Sequence, residues 1–200
     1  MAKNIHKIET FELTIPTQKI CVRIGYRTST SRISSSVLDL IEETKAHAYE
    51  LLNPRAIFRI LDYNKTNRHE IFANAEKVAL CICTIGPQIE SESARLVKTD
   101  ALMKGLILDA IGSEATEQVA RQTDKRLCQK AREMDLWPSK RFSPGYKSWV
   151  IEEQRYVFQV LPGEEIGVKL NESCMMIPRK SVSFRINFYR TKDQSTRFFR

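Results

Sequence analysis

The stretch VKLNESCMMIPRKSVSFRINFY, residues 168–189, contains the clearest strand pattern in the chain, and the choice of fold class depends on it. In its second half the apolar side chains alternate with polar ones, and they are Val182, Phe184, Ile186 and Phe188. Such alternation is typical of a β-strand with one buried face. EIGVKL, residues 165–170, predicts a shorter strand before it.

Similar patterns upstream predict the rest of the fold. Four further segments have the apolar spacing of strands: IETFELTI (8–15), KICVRIGY (19–26), RAIFRILDY (55–63) and KVALCICTIG (77–86). Helices are predicted at about 37–52, from Pro87 onward, at about 100–134 and at about 151–161, and serines in the loop 27–36 can cap the first. Because strands lie at both ends of the chain with helices between them, we expect an α+β fold with a largely antiparallel twisted sheet and packed helices.

Length and composition are those of a globular protein. The 200 residues are 42% hydrophobic, and no linker or repeat divides them, so we expect one domain spanning 1–200. No stretch approaches the roughly 18 to 20 apolar residues of a membrane span, and the N-terminus lacks the apolar core of a signal peptide. A cytoplasmic location and no membrane association are the expectation.

The net charge of +8 is concentrated near the C-terminus. After position 178 the chain has one acidic residue, Asp193, and seven basic residues. The basic residues are Arg179, Lys180, Arg185, Arg190, Lys192, Arg197 and Arg200. This tail is a candidate electropositive face for an acidic partner, and a solvated surface is an equally good interpretation.

The usual signatures of an independent enzyme are missing. The sequence has no GxSxG, Walker loop, GxGxxG or HExxH motif, and its five cysteines include no CxxC. Cys81 and Cys83 share one face of a predicted strand and could in principle bind a soft metal, but they are more simply buried apolar residues. We therefore identify no catalytic residues and no metal site.

RFSPGY, residues 141–146, predicts a stiff turn beside an arginine. Pro144 fixes its own φ, and Gly145 permits a positive φ or a close approach to a ligand. Arg141 offers a two-pronged clamp for a carboxylate, and Tyr146 offers an aromatic face. From spacing alone, an ordinary Pro-Gly turn with a surface arginine is the simpler interpretation.

The longest predicted helix has two different halves. ALMKGLILDAIGSEA, residues 101–115, is apolar nearly all round and contains Gly105 and Gly112, which indicates close neighbours, whereas the second half is polar and predicted to be exposed. Glu117 lies at the boundary. It either forms a surface pair with Arg121 or is a carboxylate placed to meet a cationic ligand.

Two motifs together resemble a known family. RFSPGY, followed downstream by VKLNESCMMIPRKSVS, resembles the C-terminal activation domain of cobalamin-dependent methionine synthase, which has an R-x-x-x-G-Y turn and an L-x-E-S-x-x-M-x-P-x-x-S-V-S segment. CTIGPQIE (83–90) and GSEATEQVA (112–120) also look like that domain. The resemblance is strongest over about 75–190 and weak over the first 70 residues.

The resemblance implies a domain that binds S-adenosylmethionine. Arg141 would pair with the ligand carboxylate, the backbone around Ser143 and Gly145 would hold the adenosyl group, and Tyr146 would pack on it. Glu117 would lie near the positive end of the ligand. Tyr189 is the loose counterpart of a ligand-contacting tyrosine, and no counterpart is found in residues 1–70 for the second acidic residue of the family.

The resemblance also implies partners. In that family the cobalamin is occasionally oxidised and inactive, and the domain supplies S-adenosylmethionine while a flavodoxin-like protein supplies an electron. Since the sequence shows no cobalamin-binding module, the cobalamin would come from a methionine synthase subunit that lacks an activation domain. Activation of another corrinoid methyltransferase is the closest alternative. A basic nucleic-acid-binding module is less favoured, because RFFR at 197–200 is its main support.

Overall fold

A five-stranded antiparallel sheet forms the centre of the computed structural model, which describes residues 4–26, 33–63, 75–146 and 149–196. The strands are β1 (Ile5–Ile8), β2 (Arg55–Asp62), β3 (Lys77–Thr84), β4 (Trp137–Pro138), β5 (Lys169–Leu170), β6 (Met176–Ile177) and β7 (Ser181–Tyr189). The order in the large sheet is β1-β2-β3-β7-β4, and β5 and β6 form a separate hairpin.

Helices cover both faces of this sheet. They are α1 (Thr17–Arg23), α2 (Ser35–Leu51), α3 (Gln88–Val97), α4 (Leu102–Glu133), α5 (Gln154–Val160) and α6 (Lys192–Thr196). None of the helices in the described ranges combines the length and apolar character that crossing a membrane requires.

The first face of the sheet packs on the long helices. Phe58, Cys81 and Phe184 are register partners on β2, β3 and β7, and all three belong to the core that includes Ile111 and Val119 of α4. Alternation places these side chains on one side of the pleat. The larger core therefore lies between the sheet and α1 to α4.

The second face of the sheet is also buried. Here Ile57 and Ile82 pack with Trp149, Val157 and the loop before β5 in a second core. On β7 this face contributes polar side chains, which are Ser183, Arg185 and Asn187, each at most 8% exposed. The prediction that this strand has a single buried face is therefore wrong, because α5 and the segment around Trp149 cover its other side.

Most of the predicted elements are confirmed, with two errors near the N-terminus. Residues 19–26 were expected to form a strand, but α1 occupies Thr17–Arg23, with Ile20 and Cys21 buried against the helices. Of 8–15, only Ile8 belongs to a strand, β1, and residues 9–16 belong to no strand of the described sheet.

Helix α4 explains why the alternating segment 10–14 needs no neighbouring strand. The Gln118 side chain accepts a hydrogen bond from the Thr14 amide at 3.0 Å and donates one to the Thr14 carbonyl at 2.5 Å. Gln122 makes the same pair of bonds with Glu12. These side-chain amides pair with the backbone groups that a neighbouring strand would otherwise use.

Smaller differences concern helix ends and faces. Ser34 precedes α2, but its side chain makes no capping hydrogen bond, and residues 27–32 of the predicted serine loop lie outside the described residues. The strand predicted at 165–170 is reduced to β5. The second half of α4 is less exposed than predicted, because Leu127 and Ala131 are fully buried.

The close approach predicted at the start of α4 is confirmed. A Cβ built on Gly105 would lie 2.8 Å from Cγ2 of Val97 and 3.0 Å from the Val97 backbone nitrogen. The Gly105 carbonyl accepts a hydrogen bond of 2.9 Å from Ser93. Glycine at this position lets α3 and α4 pack at backbone distance.

A buried carboxylate fixes α1 against α4. Glu114 has a 4% exposed side chain and accepts hydrogen bonds from Arg121 at 2.6 Å and Arg23 at 3.1 Å. Burial raises the pKa of Glu114, but the hydrogen bonds and charges of Arg23 and Arg121 outweigh it, so the pKa of this carboxyl is lowered overall.

We expect Glu114→Gln to destabilise the fold at neutral pH by about 1 to 3 kcal/mol, toward the lower end because both arginines are partly solvated. The folded pKa of Glu114 lies below the unfolded value of about 4.3, so this stabilisation is present above that pH and is lost as pH falls through the folded pKa. Urea unfolding of both proteins at neutral and acidic pH measures this. Equal destabilisation at both pH values would contradict it, and the exposed Glu43→Gln is the control.

Candidate functional site

One cavity of about 740 Å³ opens between the RFSPGY turn and the segment that follows β5. Its walls are formed by Glu117, Arg141, Phe142, Ser143, Pro144, Tyr146, Ile151, Gln154, Met175, Met176, Arg179, Lys180, Ser181, Val182 and Ser183. The two motifs singled out in the sequence therefore form opposite walls of the same cavity. α4 closes one end of the cavity through Glu117.

Backbone hydrogen bonds hold the turn in a fixed shape. The Gly145 amide donates to the Trp149 carbonyl at 2.7 Å, and the Trp149 amide donates to the Tyr146 carbonyl at 3.1 Å. Gly145 has a φ of 88°, in the left-handed region that favours glycine. These hydrogen bonds and the positive φ of Gly145 form the tight turn that the Pro-Gly pair predicts.

Between Pro138 and Phe142, just before and within the turn, the chain has one more residue than the stretch of β7 with which it pairs. Pro138 pairs with Phe188, whereas Phe142 pairs with Arg185, so four steps along one strand correspond to three along the other. An extra residue of this kind reverses which side chains point to which face. It places Phe142 on the face of Arg185 and leaves Arg141 on the face of α4.

Arg141 meets Glu117 on that face. The Arg141 guanidinium donates a hydrogen bond to the Glu117 carboxylate, and the two side chains are 29% and 36% exposed. Nη1 of Arg141 is buried and has no hydrogen-bond partner among the described residues. The alternative pairing of Glu117 with Arg121 is wrong, because Arg121 binds Glu114 instead.

The opposite wall is anchored on α3 and α4. The Arg179 amide donates to Glu90 at 2.6 Å, and the Lys180 ammonium binds Asp109 and Ser113, each at 2.8 Å. These contacts fix the backbone of the PRKS segment while the Arg179 side chain remains exposed at the cavity.

Gln154 joins this wall to the sheet. It is 3% exposed, its amide nitrogen donates to the Cys174 carbonyl at 2.7 Å, and its carbonyl oxygen accepts from Ser183 at 2.5 Å. Met175, on the loop held by Gln154, is 53% exposed. An exposed methionine at a cavity provides adaptable apolar contact.

The predicted site residues divide into two groups. Glu117, Arg141, Ser143 and Tyr146 line the cavity, Tyr146 being 67% exposed at its mouth, and Gly145 lies between them in the turn. Tyr189 does not line the cavity. It is 1% exposed in the second core, where its hydroxyl accepts a hydrogen bond of 3.0 Å from Asn187, so the structure does not bring it to the other five.

Several lining residues were not predicted as site residues. Met176, Ser181 and Ser183 lie at fixed positions of the second motif, which could have identified them. Gln154 has no comparable signal, because its role depends on the packing of α5 on β7. Glu172 and Ser173 of the same motif do not line the cavity.

The electropositive tail does not form a continuous face. Arg185 is buried, Lys180 binds Asp109, and Arg190 binds Glu76 at 2.9 Å. Arg179 and Lys192 are exposed, and 197–200 lie outside the described residues. Burial and ion pairing therefore separate the basic residues of 179–192, which leaves the solvated surface as the better of the two interpretations for this part of the tail.

The buried thiols belong to the core. Sγ of Cys81 and Sγ of Cys83 are 3.5 Å apart, and burial raises the pKa of the Cys81 thiol well above its ordinary value. A protonated thiol is a poor metal ligand. In the described ranges, no group of three or more His, Cys, Asp or Glu side chains is placed to hold a metal ion.

Comparison with known proteins identifies the class of fold. No family model matches the chain, and no curated protein matches its sequence. The chain is a mixed helical and antiparallel-sheet protein with the fold of the MetH reactivation domain. The crystal structure of that domain bound to AdoHcy superimposes with a TM-score of 0.65 and 14% sequence identity, covering 94% of this chain and 79% of that chain. The resemblance inferred from the two motifs is thus confirmed for the fold.

Asp124 on α4 offers a test of the site's electrostatics. Burial raises the pKa of Asp124, the Cys128 thiol and Arg141 lower it, and Glu117 raises it. We expect Arg141→Met to raise this pKa further and Glu117→Gln to lower it, because the two variants remove charges of opposite sign. Carbon-detected NMR titration of the Asp124 carboxyl measures both shifts. Arg95→Met, at an exposed position of α3, should leave the pKa of Asp124 unchanged, and shifts of the same sign in both site variants would contradict the geometry.

Proposed function

We propose that this protein binds S-adenosylmethionine and presents its methyl group to the cobalamin of cobalamin-dependent methionine synthase, in the reductive reactivation of that enzyme. The observation that carries the proposal is the meeting of the two motifs as opposite walls of one cavity, with Arg141 and Glu117 side by side in it. The likeness to the MetH reactivation domain, crystallised with AdoHcy, supports it.

The cavity fits the ligand in size. A volume of about 740 Å³ lies within the range of roughly 300 to 1,000 Å³ that is common for small-molecule sites. Apolar side chains from Ile151, Met175 and Met176 and the ring of Tyr146 offer surfaces for an adenine. Ser143 and the exposed backbone beside Gly145 offer polar groups for the ribose.

The charged pair fits the amino-acid end of the ligand. S-adenosylmethionine carries a carboxylate, an ammonium and a sulfonium group, so each member of the Arg141–Glu117 pair can exchange its partner for an opposite charge on the ligand. Nη1 of Arg141 is buried without a hydrogen-bond partner, so Glu117 does not use the full donor capacity of the guanidinium. Glu117 is the single carboxylate among the lining residues that the structure describes, and it can pair with a positive group of the ligand.

The chain's own contribution to methyl transfer is positioning. A reduced cobalamin bound by a partner would supply a cobalt nucleophile for the methyl carbon, and the carbon–sulfur electron pair would remain on AdoHcy. Arg141 and Glu117 hold the amino-acid end and the turn holds the adenosyl end, which fixes the sulfonium between them. Such a displacement needs orientation rather than a general base, so the protein acts as a component of a methyltransferase.

The partners follow from this chemistry. We propose that a cobalamin-binding methionine synthase subunit without an activation domain supplies the corrinoid, and that a flavodoxin-like protein supplies the electron, both in the cytoplasm. The basic residues at 179–192 add no support for a nucleic-acid partner, because Arg185 is buried and Lys180 and Arg190 are paired with carboxylates.

Calorimetric titration with S-adenosylmethionine tests the site. We expect Arg141→Ala to weaken binding roughly ten- to a hundredfold, the effect typical of losing a hydrogen bond to a charged group. Arg95→Ala, which removes an exposed arginine remote from the cavity, is the matched control and should bind normally. Absence of binding by the wild-type protein, or normal binding by Arg141→Ala, would refute the proposed site.

A charge exchange separates ligand binding from a purely structural ion pair. The double variant Glu117→Arg/Arg141→Glu retains an ion pair, so its urea stability should recover relative to either single variant. Its binding should not recover, because each charge then meets a like charge on the ligand. Recovery of both properties would show that the pair only supports the fold.

Reactivation in trans tests the reaction. The protein is mixed with oxidised, inactive methionine synthase lacking its reactivation domain, together with S-adenosylmethionine and reduced flavodoxin, and the cobalamin absorbance is followed. We expect recovery of the methylated spectrum that requires this protein and is reduced in Arg141→Ala. If binding is normal but recovery is absent, another corrinoid methyltransferase becomes the partner to test.

A further inference from the structure

A buried arginine lies directly behind the turn that carries the cavity residues. Arg185, on β7, is 8% exposed, and burial lowers its pKa to about 10, so it remains charged near neutral pH. Its backbone amide and carbonyl both pair with Phe142, at 2.8 and 3.0 Å. Placing a charge here is costly unless its neighbours compensate for the lost water.

Two aromatic rings provide that compensation. The guanidinium carbon of Arg185 lies 5.1 Å from the ring centre of Phe142 and 5.2 Å from that of Trp149. The two rings stack on each other, with centres 6.0 Å apart and planes inclined by 11°. One cation therefore contacts both members of a stacked pair, and such cation–π contacts are strongest where water is excluded.

The same two aromatic residues lie on either side of the Ser-Pro-Gly-Tyr part of the turn in the sequence. Phe142 immediately follows Arg141, and Trp149 receives the Gly145 amide and donates to the Tyr146 carbonyl. Since Phe142 and Trp149 lie on either side of Gly145 and Tyr146, a movement that separates Phe142 from Trp149 also separates the stacked rings. Arg185 thus holds the two ends of the turn together from the side of the sheet opposite α4.

Arg185 is itself oriented by its neighbours on the same strand. Its Nη1 donates to the Asn187 side-chain oxygen, and the Asn187 amide nitrogen donates to the Tyr189 hydroxyl at 3.0 Å. Residues 185, 187 and 189 share one face of β7. Tyr189, which does not reach the cavity, is connected to the turn through this row of side chains.

We propose that Arg185 is a positioning residue of the cavity, which holds the turn 141–146 in its ligand-binding conformation by acting through Phe142 and Trp149. The expected effect of Arg185 on ligand affinity rests on the proposed binding of S-adenosylmethionine. Its expected effect on the turn rests on the geometry alone. A side chain that merely filled the second core would affect stability without a selective effect on the turn.

Tryptophan fluorescence separates these two roles. The chain has two tryptophans, so Trp137→Phe, at an exposed position, leaves Trp149 as the single reporter beside the turn. In this background Arg185→Met removes the charge at similar length, Arg185→Lys keeps a charge without the planar guanidinium, and Phe58→Leu is a destabilising control in the other core. Acrylamide quenching of Trp149, urea stability and calorimetric AdoHcy affinity are measured on each folded variant.

We expect Arg185→Met to increase quenching of Trp149 and to weaken AdoHcy binding about tenfold, with Arg185→Lys between it and the parent. Phe58→Leu should lower stability while leaving both quenching and affinity unchanged. If Arg185→Met does not fold, the same comparison between Arg185→Lys and the parent decides. Unchanged quenching in a folded Arg185 variant overturns the inference. Absence of AdoHcy binding by the parent overturns the proposed function instead, and the quenching result then decides the role of Arg185.

Discussion

The burial of β7 on both faces is the constraint on which the rest of the structure depends. This strand pairs with β3 on one edge and with the chain around β4 on the other, so its register is fixed from both sides. One face contributes Phe184, Ile186 and Phe188 to the larger core, and the other places Ser183, Arg185 and Asn187 on the side of the second core. The extra residue between Pro138 and Phe142 then assigns Arg141 to one face and Phe142 to the other. A shift of register by one residue would exchange these assignments, and the charged pair with Glu117 could not form.

Helix α4 connects the parts that β7 does not reach. Along its length it supplies Gln118 and Gln122 to the N-terminal segment, Glu114 to α1, and Asp109 and Ser113 to Lys180. Glu117 faces the cavity from the same helix. The apolar stripe of α4 packs on the sheet, and its polar side chains lie on the remaining faces of the helix. Because the helix is long, these polar side chains reach several different segments of the chain. Many polar residues of α4 therefore form tertiary contacts. The prediction that its polar half is simply exposed missed these contacts.

The sequence predicted best what depends on local patterns and worst what depends on tertiary partners. The strands β2, β3 and β7 and the helix α4 follow from continuous or periodic apolar residues, and the RFSPGY turn follows from Pro144 and Gly145. The strand expected at 8–15 failed because its hydrogen-bond partners are glutamine side chains, more than a hundred residues away, rather than a strand. The pairing of Arg141 with Glu117 required the register of β7, which no single segment encodes. For the cavity, the two motifs indicated both walls, whereas Gln154 and the row from Arg185 to Tyr189 became visible only in the folded chain.

The proposed ligand changes charge during the proposed reaction. In the structure Arg141 and Glu117 form an ion pair, so neither side chain is an isolated charge. S-adenosylmethionine has one more positive charge than AdoHcy, and that charge is on the sulfur from which the methyl group leaves. A carboxylate close to the sulfonium favours the methyl donor over the demethylated product by its charge alone. Because the turn is already held by Trp149 and by β7, little of the binding energy is needed to order it. Methyl transfer would then weaken the hold of Glu117 on the ligand and favour re-formation of its pair with Arg141, so the same two side chains can both retain the donor and release the product.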